Sequence, residues 1–284
     1  MKILITGAGG QLGRELMKLY PDSIGTSQDP SSRYYLPLEN PDAIVKLLGY
    51  ERPEVVVNCA ALTNVDKCEK EKEYAYKVNG TAVRSMAIEC AKIGAKLVQI
   101  STDHVFDGAV GNYSEYAPPN PVNYYGLSKL AGEHFALSVE YNLVVRTSGV
   151  FGYSNNFPLF AYRKLKNEET VTAIKGFYSP IHSEYLAKAI KRLIELEQEG
   201  VVNVAGERIS RAELALRIAE FFKLDKNLVK ESDRVQILEA KRPFDSSLAI
   251  NKAKELIEFD FYTIRSNLNA LKRSMDAVDG KGLK

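Results

Sequence analysis

The stretch Lys2-Ile3-Leu4-Ile5-Thr6-Gly7-Ala8-Gly9-Gly10-Gln11-Leu12-Gly13 decides the fold. Residues 2–6 are a short apolar run suited to a buried strand, and from Gln11 to about Tyr20 apolar residues recur with a helical period. Strand, glycine turn and helix in that order is the context a dinucleotide site requires. The turn exposes backbone N–H groups, and the helix N-terminus offers partial positive charge to a pyrophosphate. The spacing is Gly7-x-x-Gly10-x-x-Gly13, with Gly9 also available for close approach. A tight βα turn without a ligand is the competing reading, and the position of the turn at the N-terminus weighs against it.

Working outward, a short strand falls around 23–26, and the position about 20 residues past Gly7, where an acid would bind ribose hydroxyls, is Ser27. Asp29 lies two further on. Without a carboxylate at the usual place a 2′-phosphate is less strongly repelled, so NADPH is favoured over NADH. Arg14 and Arg33 are either its partners or solvated surface charges. Asn40-Pro41 reads as a helix start. Residues 54–58 form a third strand followed by small residues, Cys59-Ala60-Ala61, where a cofactor can lie close to the backbone. A helical region covers about 65–93 and is interrupted at Asn79-Gly80. Strands over 96–101 and 142–147 complete the alternation.

That alternation predicts an α/β fold, a right-handed, doubly wound parallel sheet of the Rossmann type over residues 1–150. Beyond Phe151 the regularity falls away. Residues 152–156 (GYSNN) form a loop before a helix at 157–166, a strand near 170–174 and a helix from 183 to about 197. Residues 151–182 and 199–275 are expected to form a smaller C-terminal α/β substrate lobe, with the helix at about 183–198 packing back onto the first domain. Residues 276–284 read as a frayed tail.

Tyr124-Tyr125-Gly126-Leu127-Ser128-Lys129 carries the chemistry. Asn123 caps a helix here, which makes Tyr125 and Lys129 an i,i+4 pair on one face. A fixed positive charge near a phenol favours the phenolate, so such a tyrosine can exchange a proton with a carbonyl or alcohol oxygen. The spacing alone is weak evidence, because Tyr162 and Lys166 repeat it in a plainly amphipathic stretch.

Composition sets bounds. Among 284 residues, 38 basic and 36 acidic side chains give a net charge of +2, which makes no electrostatic case for nucleic acid or a membrane surface. No run of about 18 apolar residues suggests a membrane span. The three cysteines, Cys59, Cys68 and Cys90, show neither a disulfide framework nor zinc spacing, and no metal site is expected. A cytoplasmic protein is the plain expectation.

The glycine turn, Ser101-Thr102 at a strand end and Tyr125-x-x-x-Lys129 together resemble the extended short-chain dehydrogenase/reductase family over essentially the whole chain. Within it, STDHVFDG (101–108), NCAALTNVDKCE (58–69) and PVNYYGLSKLAGE (121–133) are similar to segments of the dTDP-4-dehydrorhamnose reductase branch. The resemblance implies reduction of a dTDP-linked 4-keto-6-deoxy sugar by NADPH or NADH, in a homodimer. It implies catalysis by Thr102, Tyr125 and Lys129. It places the cofactor against Gly7, Gly9, Gly10, Gln11, Leu12, Gly13, Ser27, Leu38, Ala60, Ala61, Leu62 and the same tyrosine and lysine. The sugar nucleotide falls to Thr102, Asp103, Asn156 and Arg242, the last either holding a pyrophosphate by bidentate bonds or forming a surface ion pair, and Asn79 matches an asparagine that supports the lysine through water. A structural break at Asn79-Gly80 is the other reading of that residue.

Departures from the pattern are informative. The acid expected after the catalytic Thr-Asp of sugar dehydratases is His104, read as a loop or core residue. The tryptophan usual after Arg-Thr-Ser is Gly149, which predicts a roomier or differently lined sugar pocket unless Phe151, Tyr153 or another residue fills it. The acid that usually contacts adenine is lost at Pro37-Leu38. A silent NADP-binding subunit, like the regulatory subunit of methionine adenosyltransferase, shares these motifs and is the second functional class.

Overall fold

The computed structural model describes residues 1–152, 154, 156–233 and 239–279. Tyr153, one of the residues expected to fill the space at Gly149, lies outside them.

The first half is built as the alternation predicts. Strand β1 (Ile3–Thr6) leads to helix α1 (Gln11–Leu19), β2 (Ile24–Gly25), α2 (Pro41–Glu51) and β3 (Val55–Asn58). Helices α3 (Val65–Lys70) and α4 (Lys72–Tyr76) follow, then a π-turn over Lys77–Thr81 and α5 (Ala82–Ile93). Strand β4 (Lys96–Thr102), α6 (Tyr124–Ala136) and β5 (Leu143–Thr147) complete this half. The side chain of Asn40 accepts the backbone N–H groups of Asp42 and Ala43, and that of Asn123 accepts from Gly126, so two helix starts rest on local sequence.

In the second half come β6 (Val150–Phe151), α7 (Phe157–Lys166), β7 (Val171–Ile174), β8 (Phe177–Tyr178), β9 (Ile181–His182) and α8 (Ser183–Glu195). They are followed by β10 (Gly200–Asn203), β11 (Ile209–Ser210), α9 (Arg211–Phe222), β12 (Val229–Ser232), α10 (Asn251–Leu256) and α11 (Ile264–Asp279).

Six strands form one parallel sheet in the order β10-β5-β4-β3-β1-β2. Successive strand residues face opposite sides, and the two sides bury different sets. Ile3, Ile5, Val55, Val57, Val98 and Val145 join one apolar core with residues of α1 and α8. Leu4, Val56, Leu97 and Val144 join the other, with residues of α2 and α5. Burial on both faces explains why these strands read as continuous apolar runs. The order reverses between β1 and β3, which opens a crevice beyond their C-terminal ends, where open α/β sheets bind ligands.

Two boundaries differ from the sequence expectation. Strand β10, assigned to the second lobe by its position after residue 199, pairs in parallel with β5 and is the edge strand of the main sheet. Its Val202 is fully buried in the main core, and that tertiary pairing overrides chain order. Helix α11 continues to Asp279, so the chain is still helical past residue 276. Helices α7, α9 and α11, with β7, β8 and β11, make a lobe with a core of its own, where Leu165, Val171, Ile218 and Leu271 pack together.

Candidate active site

A cleft of about 730 Å³ runs along the C-terminal ends of β1, β3, β4 and β5 and under the lobe. Its walls bring together most of the residues singled out from sequence: Gly7, Gly9, Gly10, Gln11, Leu12, Gly13, Ser27, Leu38, Ala60, Ala61, Thr102, Asp103, Tyr125, Lys129 and Asn156. Leu62 and Arg242 are not among its lining residues. Leu62 is held from behind by Asn79, whose Oδ1 accepts the Leu62 N–H at 2.9 Å. Arg242 pairs with Asp66 at 2.9 Å and donates to the Ala240 carbonyl.

The nucleotide end is shaped by close backbone packing. A Cβ at Gly13 would lie 2.3 Å from the Gly7 carbonyl oxygen, so the helix can start this close to the strand only with glycine there. Helix α1 has no side-chain cap at Gly10, which leaves its first-turn N–H groups for an anion. The Ser101 and Thr147 hydroxyls are buried, line the cleft and have no hydrogen-bond partner. An uncapped helix N-terminus, a cradle that a Cβ would fill and orphaned hydroxyls fit an extended phosphorylated cofactor. At the ribose end, Ser27 accepts a hydrogen bond from the Asp29 N–H, while the Asp29 carboxylate is turned to Ser31. Arg14 donates to the Gly9 carbonyl and Arg33 sits over the Tyr34 ring.

The reacting end is set by α6. A Cβ at Gly126 would fall 2.1 Å from the His104 carbonyl oxygen, so this helix seats directly on the exit of β4 and brings Tyr125 beside Thr102. Burial raises the phenol of Tyr125 well above its usual range, and hydrogen bonding to Thr102 opposes this. The phenolate expected from the neighbouring lysine is therefore not the resting state. The lysine's Nζ donates instead to the Ile100 carbonyl at 2.6 Å. Lys129 is itself pushed down to about 8 by burial, with Glu133 one turn further on pulling the other way.

Around this pair the polar groups are fixed. Thr102 donates to Asp103 Oδ1 at 3.0 Å, and Ser148 and Ser246 both donate to Asp103 Oδ2 at 2.6 Å. His104 is buried, its ring meets Tyr125 edge-on at 5.5 Å, and its Nδ1 faces the Asn123 amide at 3.2 Å. Burial lowers its pKa, with Asp103 pulling the other way, and the residue lines the cleft beside Tyr125. Asn79 bonds Leu62 and, at 3.0 Å, the Ser128 hydroxyl, so its side chain ties the loop after β3 to α6 and does not reach Lys129 directly.

Sequence reasoning missed part of the wall. Ser148, Ser246, Tyr178 and Arg211 all line the cleft. The substitution at Gly149 was the available signal: it left the space to Phe151, Tyr153 or another residue, and did not single out Tyr178.

A doubly wound sheet with a glycine turn at its switch point and a Thr, Tyr and Lys set at the next strand end defines the class of extended short-chain dehydrogenases/reductases. The chain belongs to the family described as RmlD substrate binding domain, whose model matches residues 1–277. It is similar to the dTDP-4-dehydrorhamnose reductase of Aggregatibacter actinomycetemcomitans, 31% identical over 89% of this chain and 92% of the relative. The structure of a hypothetical dTDP-4-dehydrorhamnose reductase from Sulfolobus tokodaii is 49% identical, covers 93% of this chain and 97% of its own, and superposes with a TM-score of 0.88. That of the Bacillus anthracis dTDP-4-dehydrorhamnose reductase in complex with NADP is 31% identical, covers 95% and 98%, and gives a TM-score of 0.87. Methionine adenosyltransferase 2 subunit beta of Xenopus tropicalis is more distant, 27% identical over 90% of this chain. Among the described residues no helix is long and apolar enough to cross a membrane.

Proposed function

We propose that the chain reduces the 4-keto group of a dTDP-linked 6-deoxy sugar, dTDP-4-dehydrorhamnose to dTDP-L-rhamnose, with NADPH. The observation that carries the reading is that Thr102, Tyr125, Lys129 and the glycine turn all line one cleft. The nicotinamide cofactor supplies a hydride, and the backbone of Gly7–Gly13, with the α1 N-terminus, is what would hold its pyrophosphate. A phenol kept protonated by burial is the correct form of a general acid for ketone reduction, because it must give up a proton as the carbonyl oxygen becomes an alkoxide. Tyr125 is that donor. Thr102, which rests donating to Asp103, would turn its one proton to the same oxygen, and the Lys129 ammonium stabilises the charge left on the phenol.

NADPH over NADH is supported by Ser27 at the ribose position and by the Asp29 carboxylate being engaged with Ser31. A homodimer remains the expected assembly from the family resemblance and is checked by sedimentation. The function is tested by adding purified protein to NADPH and dTDP-4-dehydrorhamnose, with cofactor dissociation constants measured alongside. NADPH should be consumed and should bind at least as tightly as NADH. A tenfold preference for NADH, about 1.4 kcal/mol, would overturn the cofactor choice. Binding of NADPH without consumption with any 4-keto dTDP-sugar would overturn the reductase reading and favour the silent-subunit class.

A further inference from the structure

Gly149 leaves a gap in the wall of the cleft where a side chain would otherwise stand, and the lobe fills it. A Cβ built on Gly149 would lie 2.9 Å from Cε2 and 3.1 Å from Cδ2 of Tyr178, so the phenol ring occupies the space directly above the Gly149 backbone. Tyr178 reaches this place from β8, which is pinned by antiparallel pairing with β11. Its ring is only 7% exposed and lines the same cleft as Tyr125 and Asp103.

Three further facts separate this tyrosine from a packing residue. Its hydroxyl is enclosed and has no hydrogen-bond partner, a state that native structures rarely leave unrelieved. Burial raises its pKa, so the group is a neutral hydroxyl able both to donate and to accept. The guanidinium of Arg211, at the start of α9, stacks 4.7 Å over the ring and also lines the cleft. No carboxylate among the described residues lies within ion-pair distance of Arg211. Ring, hydroxyl and guanidinium thus form one surface on the lobe side, opposite the strand ends that carry Thr102 and Ser148.

We infer that Tyr178 is a specificity-determining residue of the substrate site, its ring serving as the aromatic wall absent at Gly149 and its hydroxyl bonding a sugar hydroxyl of the nucleotide-linked ketone. This rests on the proposed reductase function. The stacked Arg211 fixes the ring plane and supplies positive charge on the side where an anionic sugar nucleotide enters. The pocket is consequently differently lined and not roomier, the second of the two outcomes read from Gly149.

The test uses the full chain, NADPH, dTDP-4-dehydrorhamnose and three variants. Tyr178→Phe keeps the ring and removes only the hydroxyl. It should raise KM for the keto sugar about tenfold, with kcat and the NADPH dissociation constant within about twofold, the pattern of a lost binding contact. Gly149→Trp alone should collide with Tyr178 and abolish sugar binding while NADPH still binds. Combining Gly149→Trp with Tyr178→Gly should bring the keto-sugar KM back to within severalfold of wild type, since the wall is then built from the other side. An unchanged KM in Tyr178→Phe, or full activity in Gly149→Trp alone, would overturn the inference while leaving the reductase function standing. A wild-type chain that neither turns over nor binds the keto sugar would overturn both.

Discussion

Tyr125–Lys129 and Tyr162–Lys166 have the same spacing on two helices, α6 and α7, and almost nothing else in common. Lys129 is 3% exposed and donates to a backbone carbonyl, and Tyr125 stands beside Thr102 in the cleft. Lys166 is exposed with its ammonium 5.7 Å over the half-buried Tyr162 ring, which packs with Phe222 against the outside of the lobe core. An i,i+4 pair is therefore only an opportunity. It becomes chemistry where a strand end supplies a hydroxyl partner and where burial shifts both groups away from their solution pKa values.

The contrast is broken or sharpened most strongly at the phenol itself. Tyr125→Phe is expected to lower turnover by roughly 10²–10⁴, the range attributed to general acid–base catalysis, with NADPH affinity little changed in calorimetry. Equal activity in this variant would erase the distinction between the two pairs.

Next in size is the support under Lys129. Glu133 binds Arg146 through both carboxylate oxygens, at 3.0 and 2.7 Å, and both side chains are buried. Glu133→Ala leaves that guanidinium without its partner, and should cost about 3–5 kcal/mol of folding stability in denaturant titration. In the same variant Lys129 loses the charge that holds its pKa up, so any alkaline limb of activity should move to lower pH.

That limb is itself a prediction. Lys129 is charged below about 8 and neutral above, so turnover should fall as pH rises through about 8, by up to tenfold per unit beyond it. Folding stability should respond in the opposite sense. Folded Lys129 binds fewer protons than the unfolded chain between about 8 and its ordinary value of 10.5, so its unfavourable contribution is relieved as pH rises across that window. Lys129→Met should abolish both effects, which pH-rate and pH-stability profiles can check.

The smallest expected effect is the most useful control. Tyr162→Phe and Lys166→Met should leave turnover and NADPH binding within about twofold of wild type and stability within about 0.5 kcal/mol, as for surface changes away from special features. A large loss of activity in either would mean that spacing, not surroundings, carries the function.

Legibility in the sequence followed locality. The Asn40 and Asn123 caps, the apolar strands and the glycine turn are decided within a few residues, and the structure places them accordingly. The pairing of Arg242 with Asp66 spans 176 positions, so the sequence could not decide between a pyrophosphate ligand and the ion pair that the structure shows. Tyr178 was equally hidden, because only the tertiary packing of β8 against the exit of β5 lays its ring over Gly149. The resting state of Tyr125 could not be read either, since the spacing shows the lysine but neither the depth of burial nor the Ile100 carbonyl that takes its ammonium.

The central claim is hydride transfer to carbon 4 of the sugar, and it is measured most directly by isotope. NADPH carrying deuterium at the transferable position of nicotinamide carbon 4 should be incubated with the chain and dTDP-4-dehydrorhamnose, and the sugar product examined by NMR and mass spectrometry. One deuterium at sugar carbon 4 is the expected result. A product without the label, or no product while NADPH remains bound, would contradict it.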